Sequence, residues 1–267
     1  MATTSALSTS LRAIKAVSIN TAREAIRSKV FSSLIFFAVL LILSSIVLGE
    51  MSLHNEMRLA TDGTLFFSTM FAMVISVYSS ITLFYTEIER RTIYTILSKP
   101  TPRWQFLLGK YLGVQILTLM VVLFLAILSA GVIFYQADTI PVQIVWAFGS
   151  LYLQLAITTA LAHLFATVAS PLLAGFVTVA CFIAGNLFSQ LRIIKAMLED
   201  KENPLSSLIT VIEHILPNLE SLNLSREVTY QLAISGEYIM HAMLYSISYI
   251  GIILLIGMYT FSQKDIS

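Results

Sequence analysis

Long apolar runs separated by short polar segments dominate the pattern along this chain. A helix needs about 20 apolar residues to cross roughly 30 Å of hydrocarbon, and six runs approach or exceed that length. We therefore predict six transmembrane helices, over residues 31–48, 65–85, 106–135, 145–168, 172–191 and 238–261. The third run exceeds the requirement, so we expect it to tilt or to protrude from the bilayer.

Only Ala169, Ser170 and Pro171 separate the fourth run from the fifth. Proline removes a helical hydrogen bond and disfavours helix in the residue before it. A tight turn at Pro171 is therefore favoured over one very long helix, and the even number of spans depends on it.

Composition agrees with a lipid-embedded core. Of the 267 residues, 57% are hydrophobic and 12% are charged, and the mean hydropathy of +0.84 lies outside the usual soluble range. The predicted fold class is an all-α polytopic membrane protein, with one transmembrane domain over 1–267. The single cysteine, Cys181, excludes an intrachain disulfide and a Cys-based metal site. The net charge of +1 gives no indication of a nucleic-acid partner.

The segment before the first run predicts an amphipathic, basic helix over residues 11–29 that lies on an anionic membrane face. Arg12, Asn20, Arg23 and Arg27 share one side. The other side holds Leu11, Ile14, Ile19, Ala22, Ala25 and Ile26, together with Lys15 and Lys29. An ordinary solvated flanking helix is the alternative. Residues 1–10 lack the features of a secretory signal, so we expect them to stay on the mature protein.

Positive charges near the span ends predict the orientation. With the N-terminus inside, eleven Lys and Arg residues fall on the cytoplasmic side and five on the other. We therefore expect both termini in the cytoplasm.

The long outer loop, residues 192–237, is the first feature that is not generic. Apolar residues recur at helical spacing over 205–216, between Pro204 and Pro217. Twelve residues rise only about 18 Å, so this helix is either interfacial or re-entrant over the outer mouth, or rests on the lipid surface. We assign an outer lid to Leu208, Ile212 and Pro217. A second helix is predicted over 225–234, broken by Gly236 before the last span.

The inner loop 87–104 carries most functional information. A charged helix end is followed by a short amphipathic helix with Ile93, Ile96 and Leu97 on one side, and then by a proline-bounded turn. A short helix held rigidly below the membrane, with an apolar stripe and charged flanks, is a docking surface for a cytoplasmic partner.

Residues 87–113 resemble the coupling-helix loop of type-2 ATP-binding cassette (ABC) permeases. The resemblance lies in the acidic pair Glu87 and Glu89, in Thr92-Ile93, in Leu97-Ser98-Lys99-Pro100, in Arg103, and in Phe106-Leu107-Leu108-Gly109-Lys110. Arg91 stands where many members have glycine. Residues 216–223 are similar to the outer loop of the branch that includes nitrous-oxide-reductase maturation and gliding-motility permeases.

The resemblance implies a permease in the inner membrane of a bacterium. It would dimerise, with a homodimer favoured over a heterodimer, and would bind two copies of a separate ATPase. ATP-driven closure would move the coupling helices, either exporting an amphipathic or lipid-linked substrate or transmitting mechanical work. ATP and Mg²⁺ would be bound by that partner and no cofactor by this chain, because Gly109-Lys110 lacks a phosphate-binding loop around it. A periplasmic or extracellular partner at the outer loop is a further expectation. The ATPase-coupling residues implied are Glu87, Glu89, Arg90, Arg91, Thr92, Ile93, Ile96, Leu97, Lys99 and Arg103.

Polar groups at membrane depth are candidates for a transport pathway. The set is Ser76, Ser80, His163, Asn186 and His241. Interhelical hydrogen bonds, worth about 0.6–2 kcal/mol each, are the favoured alternative role.

Two other classes of protein remain as alternatives. An ion-coupled secondary transporter would show repeated halves and broken helices with ion ligands, and neither pattern is present. In an intramembrane enzyme, Glu87 and Glu89 would have to act together, yet residues two apart point to different sides of a helix. No H-E-x-x-H or G-x-S-x-G motif occurs.

Overall fold

A computed structural model describes residues 2–50, 56–89, 103–198 and 204–263. These residues contain helices and no strand, which confirms the all-α class. The α-helices are α1 Ala2–Ile26, α2 Lys29–Glu50, α3 Glu56–Glu89, α4 Arg103–Ala137, α5 Gln143–Val168, α6 Pro171–Gly185, α7 Phe188–Leu198, α8 Pro204–Ile215, α9 Ser225–Thr229 and α10 Gly236–Gln263, with a 3-10 turn at Glu220–Leu222.

Five of these helices, α2, α3, α4, α5 and α10, are long and apolar enough to cross a membrane. Helix α6 has 15 residues and rises about 22 Å, less than the hydrocarbon thickness. It reaches the required length only together with α7, from which it is bent by 70°. The described part of the chain therefore has five spans, or six if the bent pair counts as one.

The predicted fifth span, 172–191, is thus not a single helix. Residues 217–230 of the predicted outer loop, which we call the outer segment, end helix α6, because Leu219 N donates a hydrogen bond of 2.9 Å to the carbonyl oxygen of Gly185. A Cβ atom at Gly185 would lie 2.8 Å from the Pro217 oxygen, so glycine permits this close crossing. A chain segment far along the sequence therefore supplies the helix stop.

One end of the bundle carries the segment that joins α3 to α4, and we call it the loop end. Phe84 near the end of α3, Phe106 in the first turn of α4 and Phe261 near the end of α10 are in ring contact there. Ser28, which precedes α2, lines a groove with Thr86 of α3. The start of α2 and the end of α10 therefore lie at the loop end, and we call the opposite end the far end.

Helix α1 packs closely on α4 at two glycines. A Cβ atom at Gly113 would lie 2.6 Å from Thr21 Cβ and 2.7 Å from the Ser18 oxygen. Ser18 Oγ donates a hydrogen bond of 3.0 Å to the Gly109 oxygen. The two glycines of the Gly109-x-x-x-Gly113 spacing therefore form the surface of α4 on which α1 packs. Its buried face is made of small residues, Ser18, Thr21, Ala22 and Ala25, while the larger Ile19 and Ile26 remain exposed.

The second outer helix is shorter than predicted, and the break before the last span comes earlier than the predicted position at Gly236. Helix α9 ends at Thr229 instead of residue 234, because Gln231 adopts a positive φ of 51° that stops a helix. Gly236 does not break the chain before the last span but is the first residue of α10.

Candidate functional site

Both ends of the predicted coupling loop are fixed by described helices. Helix α3 ends at Glu89 and contains Glu87, while α4 begins at Arg103; of these three residues the structure describes the backbone. The remaining predicted coupling residues lie outside the described ranges: Arg90, Arg91, Thr92, Ile93, Ile96, Leu97 and Lys99. Their roles stay predictions.

An aromatic cluster of Phe84, Phe106 and Phe261 joins the two ends of this loop. The ring centroid of Phe84 lies 6.4 Å from that of Phe106 and 5.8 Å from that of Phe261. The rings of Phe106 and Phe261 are stacked, with their centroids 6.1 Å apart. All three side chains are buried. Aromatic pairs of this geometry contribute about 0.5–1.5 kcal/mol each beyond area burial. The cluster therefore joins both ends of the loop to α10.

The neighbouring Tyr85 connects the same end of α3 to the turn between α5 and α6. Its hydroxyl donates to the Ala166 oxygen at 3.0 Å and also contacts the Ala169 oxygen. Ala166 is in the last turn of α5, where carbonyl groups have no partner within the helix, and Ala169 directly follows the helix. The loop end of α3 thus holds α5 as well as α10.

Two basic side chains are buried directly behind the aromatic cluster. The His163 ring lies edge-on to Phe84 at 6.3 Å and to Tyr111 at 5.9 Å, and its Nδ1 is 2.7 Å from the Thr159 oxygen. Lys110 is fully buried, with Nζ 5.8 Å from the centroid of the Phe106 ring. The sequence placed Lys110 in a motif, but nothing in the pattern indicated its burial.

The candidate pathway residues do not converge on one channel. Ser76 and Ser80 are buried together, where Ser80 Oγ donates to the Ser76 oxygen at 2.7 Å and Thr118 Oγ1 donates to Ser76 Oγ at 3.2 Å. His163 lies behind the aromatic cluster. Asn186 is at the α6–α7 bend, and His241 is exposed near the start of α10. A role in transport stays a prediction for all five.

Open space lies elsewhere, in a groove of about 540 Å³ between α3 and α6. Its walls are apolar, with Tyr78 and Thr82 from α3 and Gly175 and Phe176 from α6 among the lining residues. Hydrophobicity alone did not distinguish this groove from the rest of the bundle surface.

At the far end, buried amide and hydroxyl groups hold the outer segment inside the bundle. Gln154 Nε2 donates to the Leu219 oxygen at 2.6 Å and to Asn186 Oδ1 at 3.4 Å. Ser150 Oγ donates to the Leu222 oxygen. Since Gln154 is about three turns from the start of α5, residues 217–222 extend from the far end into the helical bundle beside that helix.

The predicted lid residues are part of this segment or precede it. Pro217 is buried and Ile212 is partly buried, while for Leu208 the structure describes the position in α8. A contact that the sequence did not reveal attaches the segment to α3: Thr229 Oγ1 donates to Asp62 Oδ1. Beside it, the Arg58 guanidinium lies 5.1 Å from the centroid of the Tyr230 ring. We call these two contacts the outer latch.

Helices α7 and α8 are joined by ion pairs on one carboxylate. Glu213 accepts from Lys195 Nζ at 3.2 Å and from Arg192 Nε at 3.3 Å. The pKa of Glu213 is below its ordinary value. The main cause is the hydrogen bond from Lys195, and the positive charge of Lys195 and the interaction with Arg192 add to it. Among the described residues, no group of three or more His, Cys, Asp or Glu side chains could hold a metal ion.

Comparison with known proteins gives one assignment. The family model described as "ABC-2 family transporter protein" matches residues 1–266. A search of curated proteins found no match to the chain. The family match covers every span, the inner loop and the outer segment.

Proposed function

The chain belongs to the ABC-2 family of transporter proteins, and from this premise we propose that residues 87–104 are where a separate ATPase moves its helices. The family makes the chain the permease subunit of an ABC transporter, a non-catalytic multi-pass membrane protein whose ATPase activity resides in another chain. This assignment favours neither the ion-coupled transporter nor the intramembrane enzyme.

The observation that carries the proposal is the aromatic cluster at the two ends of the loop. Phe84 and Phe106 flank residues 90–102 and share one partner, Phe261. Close-packed interiors deform little, so a push on the docking helix moves α3, α4 and α10 together.

Helix α3 extends this movement to the far end. Its 34 residues span about 51 Å, and the outer latch residues Asp62 and Arg58 lie near the end opposite the loop. The latch attaches α3 to the outer segment, which in turn packs on Gly185 and Gln154. A tilt of α3 driven at the loop would therefore shift the outer lid.

The proposed assembly is a homodimer with two ATPase subunits, with the loop end and both termini in the cytoplasm of a bacterium. The proposed cargo is amphipathic or lipid-linked, because the α3–α6 groove offers an apolar wall with few polar groups. We propose that the chain belongs to the branch of nitrous-oxide-reductase maturation and gliding-motility permeases, and the similarity of residues 216–223 supports this proposal.

The test is the ATPase activity of the permease purified with its cassette partner. The double variant Ile96→Asp/Leu97→Asp places two carboxylates on the proposed docking face, and we expect it to abolish stimulation of the ATPase by the permease. The matched control Ile140→Asp/Val142→Asp adds two carboxylates on exposed residues of the segment between α4 and α5, at the far end, and should leave stimulation intact. Unchanged stimulation in the loop variant, with the complex still assembled, would overturn the assignment.

A further inference from the structure

A polar groove of about 680 Å³ lies at the loop end, between the end of α1 and α3. Its walls are Asn20, Arg23, Glu24, Arg27 and Ser28 on one side, and Thr82, Leu83 and Thr86 on the other. Most of these side chains are hydrogen-bond donors. The groove does not include the aromatic cluster, and it shares Thr82 with the apolar groove beside α6.

Two guanidinium groups line this groove one helical turn apart. The backbone N–H of Arg27 donates to the Arg23 oxygen at 3.2 Å, so the helical turn continues and both side chains extend from the same face. Neither forms an ion pair with any described residue, and both are exposed. Two adjacent guanidinium groups are the arrangement that binds phosphate oxygens.

The position of the groove limits what can occupy it. The apolar span of α2 starts at Lys29, directly after Ser28, and the apolar span of α3 ends at Thr86. The groove therefore lies at the boundary of the hydrocarbon, at the depth of the lipid headgroups. Basic pockets between helices at this depth bind anionic headgroups.

We propose that this groove binds the headgroup of an anionic phospholipid, with its phosphate on Arg23 and Arg27. Asn20 and Ser28 supply further donors to the phosphate. Glu24 is the single acidic group among the lining residues and accepts hydrogen bonds from headgroup hydroxyls. The bound lipid joins α1 to α3 at the helix end that leads into the coupling loop.

The experiment uses the full-length permease in phosphatidylcholine vesicles that contain a small fraction of spin-labelled phosphatidylglycerol. Electron paramagnetic resonance measures the immobilised fraction of that lipid. We expect Arg27→Gln to weaken the association about fivefold and Arg23→Gln/Arg27→Gln about fivefold further. The control Arg12→Gln/Lys15→Gln removes the same charge from exposed positions on α1 outside the groove and should change it little.

Three results would overturn the proposal. Equal loss in the two double variants would mean that only the general surface charge attracts the lipid. Release of the labelled lipid by inorganic phosphate would identify a free-phosphate site instead of a headgroup site. Full retention in Arg23→Gln/Arg27→Gln, with elution on gel filtration as in the unmodified protein, would exclude the groove.

Discussion

The ring of Phe84 lies 5.8 Å from the ring of Phe261, in an edge-to-face contact between α3 and α10. Phe84 precedes the coupling loop, and Phe261 is near the last described residue of the chain. The contact therefore connects two parts of the molecule. One is the start of the coupling loop, where the ATPase is proposed to act, and the other is α10, a helix that begins at the far end.

Replacing Phe261 with alanine removes the shared partner of Phe84 and Phe106. We expect a loss of about 3 kcal/mol in stability, and an ATPase that hydrolyses ATP without moving the far end. The measurements are thermal unfolding and the ATP-dependent labelling of Ser221→Cys in a Cys181→Ser background. The control Phe134→Ala, at an exposed position on α4, should leave both unchanged; an ATP-dependent change that persists in Phe261→Ala contradicts the account.

Gly113→Ala tests the close packing of α1 on α4. The added Cβ would overlap Thr21 and the Ser18 backbone, so we expect about 1–3 kcal/mol of destabilisation and partial displacement of α1. Maleimide labelling of Ala22→Cys, a buried position, reports the displacement. Gly131→Ala is the matched control, because nothing lies within 4 Å of its Cβ position. Equal labelling in the two variants would show that α1 does not depend on this glycine.

Gln154→Leu removes the donor to the Leu219 oxygen. The Leu219 oxygen keeps its hydrogen bond of 3.0 Å from Leu222 N, so we expect the loss of the side-chain donor to cost about 0.5–1.5 kcal/mol and the outer segment to open more often. Hydrogen exchange of residues 217–224 measures this opening. Gln143→Leu, which removes an exposed hydrogen bond to the Leu232 oxygen, serves as the comparison. The hypothesis fails if Gln143→Leu raises exchange in 217–224 as much as Gln154→Leu does.

The outer latch predicts energetic coupling between Asp62 and Thr229. A double-mutant cycle with Asp62→Asn and Thr229→Val should give about 0.5–3 kcal/mol of coupling in thermal unfolding. Asp138→Asn, at an exposed residue, should be additive with Thr229→Val. Additivity of the first pair would exclude the latch as an energetic connection.

The ion pairs on Glu213 predict a pH dependence of the α7–α8 hairpin. Because its pKa is lowered in the folded state, the stabilisation is fully present above the unfolded value of about 4.3 and is lost as pH falls through the lowered folded value. The protection factors of the α7 and α8 amides, which are corrected for the intrinsic pH dependence of exchange, should therefore fall on acidification. In Glu213→Gln these protection factors should be lower at neutral pH and should lose this dependence; an unchanged pH profile of the protection factors contradicts the prediction.

The pattern of apolar runs was sufficient to predict the helical class, because lipid burial demands long apolar helices whatever their partners. It could not predict the bend after Gly185, since the backbone of Leu219 provides that stop. The same reason explains why Asp62 and Thr229 were missed. Neither residue has a local signature, and only the folded chain brings them together.

For the candidate site as well, the sequence predicted what is continuous along the chain and missed what only the folded chain brings together. A continuous motif located the coupling loop, whereas the aromatic cluster behind it consists of ordinary apolar residues in three helices. Ser76 and Ser80 were selected for their polarity, yet they are buried between helices within one chain. Polarity in a span indicates a partner, and the sequence does not specify whether that partner is a helix or a substrate.

Photo-cross-linking from the inner loop tests the central claim most directly. With p-benzoylphenylalanine at position 96 of the permease, in membranes that also contain the cassette ATPase, we predict a covalent adduct with the ATPase. The same group at Val142, exposed at the far end, should give none. An adduct from Val142, or the absence of one from position 96 in an intact complex, would contradict the account.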